Sequence, residues 1–239
     1  MRTDQSLAVK NISESVIHDS SRKHVSGEAI YVDDLPEPDG TLQIYIAQSE
    51  HAHARIIELD LSAVAAASGV RAVLTSEDIP GIDDVSCVGA GDEPVFAKKI
   101  AEYAGHPIFA VAAETIDIAR AAAGKAKIVY QPLPAVVSID AAMKRRSFVG
   151  PPRVVQRGEP DRALAAAKHR LQGKISTGGQ DHFYLEGQIS LAVPREDGDL
   201  HIYCSTQNPS EVQHVCARVL GLADNAVTVE VRFAPERSQ

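Results

Sequence analysis

Two stretches decide the fold of this chain: GGQDHFYLEGQ at Gly178–Gln188 and STQNPSEVQHV at Ser205–Val215. The first is dense in aromatic and hydrogen-bonding side chains, unlike the Ala- and Val-rich sequence around it. The second places polar residues where a strand ends and a helix begins. Asn208 is a good N-cap, Pro209 suits the first turn, and Glu211 completes the spacing of a capping box. The outward N–H groups of such a helix start favour an anion.

The helix that follows this junction is predicted to span Pro209–Leu220. Its apolar residues recur at helical spacing and form one stripe: Val212, Val215, Cys216, Val219 and Leu220. Gly221 ends the helix, and strands are predicted on either side of it at Leu200–Cys204 and Ala226–Val231. The end of the chain is therefore predicted to be a strand–helix–strand unit.

Composition excludes several classes of function. The chain has 239 residues, 44% of them hydrophobic, and a formal net charge of −8. An acidic chain of this kind is a poor ligand for nucleic acid or an anionic membrane surface. No apolar run is long enough to span a bilayer, and the N-terminus lacks the core of a signal peptide. We therefore expect a cytoplasmic protein that binds neither nucleic acid nor membranes.

The cysteines do not encode a metal site or a disulfide framework. There are three, Cys87, Cys204 and Cys216, and none of them forms a C-x-x-C pair. An odd number without that spacing predicts neither a disulfide scaffold nor a zinc or iron–sulfur site.

The first half of the chain alternates strand and helix patterns. Strands are predicted at Leu42–Ala47, Arg55–Leu61, Val70–Thr75, Ile108–Ala113 and Lys127–Tyr130, and helices at Leu61–Ala67 and from Thr115 through Ala126. The polar, Gly-rich segment Ile79–Ala97 is predicted to be a long surface loop. This alternation indicates a mixed α/β layer.

A change in composition divides the chain. Residues 1–17 are predicted to be a loose leader and residues 18–143 a first unit. The stretch KRRSFVGPPRVVQRG, Lys144–Gly158, reads as a linker because prolines and glycines interrupt both helix and strand patterns. Residues 159–239 then form a second unit. Its remaining predicted elements are a helix at Asp161–Ala167, strands at Leu171–Ser176 and Tyr184–Val193, and a turn at Arg195–Asp199.

Two pairs of side chains invite comparison with metal ligands. Asp33 and Asp34 are adjacent, and neighbours on an extended chain point to opposite faces. They fit a solvated turn better than a metal site. His51 and His53 lie two apart, but no third ligand follows at a diagnostic spacing for zinc. We therefore assign no metal ligands and place this second pair in a surface turn.

Nearly the whole chain resembles the molybdenum-binding subunit of the xanthine dehydrogenase/aldehyde oxidase family. The segments SRKHVSGEAIYVDDLP, SEHAHARI, GHPIFAVAAET and YQPLPAV are similar to its α/β hammerhead domain. GGQDHFYLEGQ and STQNPSEVQHV are similar to the opening of its cofactor domain, with Asp181 where glutamate is more usual. The resemblance implies an α+β protein: an α/β hammerhead domain followed by the first, incomplete part of a molybdopterin-binding domain.

The resemblance also implies an activity. The family hydroxylates a carbon of a purine or an aldehyde with oxygen from water, and the electrons leave through iron–sulfur clusters to flavin. We expect molybdenum-molybdopterin as the cofactor, iron–sulfur clusters and FAD on a partner chain, and oxidation of hypoxanthine and xanthine to urate by the complete enzyme. One alternative is a fragment of an aldehyde oxidoreductase or carbon monoxide dehydrogenase-like large subunit. Another is a noncatalytic hammerhead assembly module.

One site residue follows from the match to STQN. Gln207 resembles the family's glutamine that donates a hydrogen bond to an oxo ligand of molybdenum. The residue type suits that place, because a neutral amide offers N–H donors where an electron-rich group would repel a carboxylate. The alternative is that Gln207 bonds only local backbone. Gln180, His182 and Glu186 are expected to shape the cofactor cavity rather than to act as acids or bases.

The resemblance stops after Val231. The family continues with a glycine-rich loop of the form GGGFGGKE that ends in the base glutamate, whereas this sequence reads RFAPERSQ, Arg232–Gln239. Glu236 is the nearby carboxylate, and nothing matches it to that base. We therefore expect a truncated product that is inactive alone, and we assign no catalytic residue.

Overall fold

A computed structural model of the chain describes residue 17 and residues 20–86, 91–180 and 187–232. The helices of this part of the chain are α1 Ser21–Ser26, α2 Ser62–Ala65, α3 Ile116–Ala123, α4 Ile139–Arg145, α5 Pro160–Ala166 and α6 Pro209–Leu220. Its strands are β1 Gln43–Gln48, β2 Ala54–Asp60, β3 Val70–Leu74, β4 Ile100–Ala101, β5 Pro107–Ala113, β6 Lys127–Pro132, β7 Ser190–Pro194, β8 Leu200–Cys204 and β9 Val227–Glu230. These strands form three three-stranded sheets.

The first sheet has the order β1-β5-β3, with both pairs antiparallel. Its central strand, β5, is an uninterrupted apolar run, which is typical of a strand covered on both faces. Helix α3 packs against β1 and β5. Thr115 caps this helix by accepting a hydrogen bond from the backbone N–H of Ile118 at 3.2 Å. This layer contains the larger of the two hydrophobic clusters.

The second sheet has the order β4-β2-β6 and is also antiparallel. It adds partly buried Ile56, Leu59 and Ile128 to the large cluster. The first unit is thus two sheets and their helices around one core, which confirms the predicted mixed α/β layer.

The third sheet lies in the second unit. Strand β7 pairs with β8 in an antiparallel hairpin. Strand β8 pairs with β9 in parallel, and helix α6 connects these two strands. A small core of Ile202, Cys204, Ala217 and Val227 lies between this sheet and α6. Parallel neighbours require a crossover connection, and α6 provides it. The predicted strand–helix–strand unit is therefore confirmed, and Pro209–Leu220 is helical over its full predicted length.

Three predictions about local structure were wrong. Residues 171–176 form no strand, and Leu171 and Ile175 are almost fully exposed there. Helix α4 was missed and extends into the start of the predicted linker. The segment Ile79–Ala97 is irregular, as predicted, but in its described part it is not confined to the surface, because Asp84, Ser86, Phe96 and Ala97 are buried.

Candidate functional site

The candidate site lies at the carboxyl ends of β8 and β9. Parallel neighbours end at the same edge of a sheet, and ligands of α/β units bind beyond that edge. Strand β8 ends at Cys204, and residues 205–208 lead directly into α6. The predicted polar junction therefore occupies the position at which this topology binds ligands.

The start of α6 is held by its own side chains. The Asn208 side-chain oxygen accepts a hydrogen bond from the backbone N–H of Glu211 at 3.2 Å, which confirms the predicted N-cap. The return bond differs from that of an ordinary capping box, because the Asn208 side-chain amide donates to Glu211 Oε2 at 2.9 Å. The backbone N–H of Asn208 donates instead to Thr206 Oγ1 at 3.1 Å.

Ser205 ties the junction to the segment before β7. Its hydroxyl donates to the Gly187 carbonyl at 3.0 Å and accepts from the Ile189 N–H at 3.2 Å. The Ser205 N–H donates to the Ile189 carbonyl at 3.2 Å. The two stretches singled out in the sequence are therefore hydrogen-bonded neighbours at Gly187 and Ser205.

Gln207 is an exposed amide of this junction. Ser205, Thr206 and Asn208 use their side chains to fix the turn and the helix start, and Gln207 lies between them with an exposed side chain. An amide N–H beside a helix N-terminus suits an electron-rich ligand without adding a like charge. An exposed neutral amide at this edge is thus chemically compatible with the hydrogen bond to an electron-rich group that is expected of Gln207.

The described part of the chain offers no metal-ligating set, since it contains no group of three His, Cys, Asp or Glu side chains close enough to hold an ion. The thiols of Cys204 and Cys216 lie in or beside the small core, where burial raises the pKa of both; proximity to Cys216 adds to the effect on Cys204. Both thiols therefore stay protonated near neutral pH and are poor nucleophiles.

Two open grooves lie close to the junction. One, of about 320 Å³, runs along α6 and is lined by Asn208, Ser210, Glu211, His214, Val215 and Arg218. The other, of about 220 Å³, lies at the end of β9 and is lined by Ser20, Lys23, Glu28, Ile30, Glu230, Val231 and Arg232. Gln207 lines neither of these open grooves.

The remaining candidate residues lie elsewhere or have structural partners. The His51 ring lies against the Tyr130 ring, with 4.7 Å between centroids, and His53 Nδ1 lies 3.0 Å from the Pro134 carbonyl oxygen. Asp34 accepts a hydrogen bond from the Tyr31 N–H in a short turn, as predicted for a solvated turn. Gln180 is exposed. Cys87, Asp181, His182, Glu186 and Glu236 lie outside the described residues.

Comparison with known proteins gives two adjacent matches. Residues 26–134 match the a/b hammerhead domain of aldehyde oxidase and xanthine dehydrogenase, and residues 146–234 match the molybdopterin cofactor-binding domain. Xanthine dehydrogenase/oxidase of Gallus gallus is 35% identical over 227 residues, which cover 95% of this chain and 17% of that protein. Aldehyde oxidase 3 of Mus musculus is 36% identical over 223 residues, 92% of this chain and 16% of that protein.

The fold has close counterparts among solved structures. The aldehyde oxidoreductase from Desulfovibrio gigas superposes with a TM-score of 0.78 at 25% sequence identity, over 89% of this chain and 26% of that one. The two domains and their order define a protein of the molybdenum hydroxylase class. Within that class, the chain belongs to the xanthine dehydrogenase/aldehyde oxidase family.

The predicted fold class is thereby confirmed: a hammerhead domain precedes part of a molybdopterin-binding domain. The chain spans 16–17% of the length of these two curated relatives. None of the helices in the described part of the chain has the length and apolarity needed to cross a bilayer.

Proposed function

We propose that this chain supplies the hammerhead domain and part of the cofactor site of an enzyme that oxidises hypoxanthine and xanthine to urate. The observation that carries the proposal is the placement of Gln207. It is an exposed neutral amide at the carboxyl edge of the parallel strands, and the side chains on either side of it fix the local structure. Similarity to xanthine dehydrogenases over almost the whole chain supports an enzyme of this family.

When bound, the molybdenum cofactor supplies the oxidising centre at which a substrate carbon is hydroxylated. The role of Gln207 is to donate an amide hydrogen bond to an oxygen of that group. The start of α6 adds the partial positive charge of the helix dipole. The reciprocal contacts between Asn208 and Glu211 hold this helix start in place, and with it the backbone that carries Gln207.

The remaining parts of the enzyme are assigned to other segments. Iron–sulfur clusters and FAD belong to a partner subunit that accepts the electrons, and the enzyme is cytoplasmic. The lack of a C-x-x-C pair among the three cysteines supports placing the clusters outside these 239 residues. Gln180, His182 and Glu186 shape the cofactor cavity in this proposal.

An aldehyde-oxidising enzyme is the second candidate. Its support is that aldehyde oxidases are as similar to this chain as xanthine dehydrogenases are, and that a bacterial aldehyde oxidoreductase shares its fold. Parallel assays of urate formation from xanthine and of aldehyde oxidation by a complete enzyme carrying this chain would separate the two. Turnover of aldehydes alone would contradict the purine assignment.

The role of Gln207 is tested by Gln207→Glu in a complete subunit that carries this chain. In the proposed role the amide would stabilise negative charge that develops on the cofactor oxygen during the reaction, so its loss should lower kcat more than it raises KM. Removing one such donor costs about 3 kcal/mol, or roughly a hundredfold in kcat, by analogy with oxyanion holes. The measurement is steady-state kinetics at equal molybdenum content.

Two matched variants separate the lost donor from the added charge. Gln207→Met removes the donor at similar volume without a charge, and it should also lower kcat. Gln156→Glu adds the same charge in the exposed linker and should leave kinetics unchanged. Wild-type kcat in both Gln207 variants would contradict the assigned role.

Metal analysis tests the third alternative, a noncatalytic hammerhead assembly module. A complete subunit that carries this chain is coexpressed with its partner subunit and the cofactor pathway, and molybdenum is measured after purification. A module of that kind contains no molybdenum under these conditions, whereas the proposal predicts molybdenum in the assembled complex and less of it with Gln207→Glu.

A further inference from the structure

The far end of α6 is capped by the first unit. The last carbonyls of a helix have no partner within the helix. Two of those in α6 accept hydrogen bonds from the segment Pro80–Ser86, which we name the latch loop. The Gly81 N–H donates to the Val219 carbonyl, and the Ile82 N–H donates to the Arg218 carbonyl, both at 2.9 Å. The contact therefore joins two backbones from different domains.

Gly81 is required by this close approach. A Cβ at this position would lie 2.2 Å from the Arg218 carbonyl oxygen, 2.5 Å from the Gly221 nitrogen and 2.7 Å from the Val219 carbonyl oxygen. These are backbone atoms of the helix end and cannot rotate away as a side chain can. The Gly81 φ angle is not positive, so the requirement is for space and not for an unusual backbone conformation.

The Arg218 side chain reinforces the backbone contact. Its Nη2 donates to the Ser86 carbonyl at 2.9 Å, and its Nη1 lies 3.8 Å from Asp84 Oδ2. Asp84 is buried and accepts hydrogen bonds from the N–H and hydroxyl of Ser86 and from the Gly91 N–H. The Ser86 hydroxyl, opposed in part by burial, keeps the pKa of Asp84 below its usual value. The carboxylate therefore stays ionised opposite the guanidinium.

We infer that the latch loop holds α6 from its carboxyl end and so positions the Gln207 junction at its amino end. A 12-residue helix is about 18 Å long and transmits a fixed end as a nearly rigid rod. Gly81 and Arg218 are positioning residues, and they touch no part of the proposed cofactor contact. The inference rests on the described contacts and stands independently of the proposed reaction.

Amide hydrogen exchange in the 239-residue chain tests whether the latch loop positions the Gln207 junction. The reporters are the amides of Glu211 and Val212, which bond to the Asn208 side chain and carbonyl at the Gln207 end of α6. Gly81→Ala should raise their exchange rates by about tenfold or more, because α6 loses its outside cap. Gly150→Ala, in open space and without a positive φ, is the matched control and should change them by less than about twofold.

The contacts of the Arg218 side chain with the latch loop are tested by separate variants, which are used if Gly81→Ala does not fold. Arg218→Met removes the guanidinium, and Asp84→Asn removes the opposing charge. Both should raise exchange at Glu211 and Val212, and their effects should not add, because they break one shared contact. Arg218→Lys keeps the charge and one donor, so it should restore part of the protection that Arg218→Met loses.

Two results would contradict the inference that the latch loop positions the Gln207 junction. One is wild-type exchange at Glu211 and Val212 in folded Gly81→Ala and Arg218→Met proteins. The other is faster exchange confined to Gly221 and Leu222, which would show that the contact protects only the helix end. Neither readout requires molybdenum or turnover, so failure of the latch is distinguishable from failure of the proposed function.

Discussion

Strand β5 and the segment Arg146–Gln180 both contain large apolar side chains, but these side chains are buried in β5 and exposed in the segment. In β5, Ile108 and Phe109 are 1% exposed. In the segment, Val155 and Leu171 are fully exposed. Strand β5 has a partner strand on each side and α3 across one face. Apart from the short helix α5, the segment contains no helix or strand that could pack its apolar side chains.

This contrast shows what apolar sequence can and cannot predict. An apolar run predicts burial only where the topology brings another surface against it. The run Ile108–Ala113 has neighbours within its own unit, and the predicted strand is confirmed. The stretch Leu171–Ser176 has two apolar residues, Leu171 and Ile175, and it pairs with no strand of the described chain. Its backbone groups therefore join no ladder, and no strand forms there.

The largest expected effect is loss of stability on truncating β5. Phe109→Ala removes a fully buried ring and should lower the free energy of unfolding by about 3–5 kcal/mol. Leu171→Ala, the matched truncation in the exposed segment, should change it by less than about 0.5 kcal/mol. Urea denaturation of both variants measures the difference. Comparable losses would show that Leu171 is packed in solution and would break the comparison.

The second prediction concerns the proposed division into units near Lys144–Gly158. Trypsin should cleave after Arg146, Arg153 and Arg157, which are exposed and lie outside helices and strands. Cleavage after Arg120 and Lys127, in α3 and β6, requires those elements to open first. The rates should therefore differ by at least about a hundredfold. Mass spectrometry of a time course measures this, and early cleavage after Arg120 with a protected linker would contradict the division.

Much of the fold was predictable because its signals are local. Thr115 and Asn208 mark helix starts, Gly221 marks a helix end, and the strands of the first sheet follow from alternation or continuous apolar runs. The position of Gln207 followed from the match to STQN. The latch could not be predicted, because Asp84 and Arg218 lie in a polar loop and on an amphipathic helix. Nothing in either pattern shows that the two meet.

The smallest expected effect concerns His106, a polar residue at the edge of the core around β5. His106 immediately precedes β5 and is 3% exposed, and its Nδ1 accepts a hydrogen bond from the Glu102 N–H at 3.2 Å. Burial lowers the pKa of this imidazole, and the charge of Glu102 opposes that shift in part. Protonation of Nδ1 would also replace an acceptor with a donor facing another donor. The folded chain therefore retains the neutral ring.

The sign of the pH dependence follows from this lowered pKa. As pH falls below about 6.5, the unfolded chain takes up a proton on His106 before the folded chain does. Stability should therefore be complete above that pH, decline below it, and level off once pH passes the lowered folded value. Urea unfolding between pH 8 and 5 measures the slope. His106→Leu should abolish the part due to His106, whereas His169→Gln, in the exposed segment, should retain the wild-type slope. An unchanged acid slope in His106→Leu would show that burial beside β5 does not govern this titration.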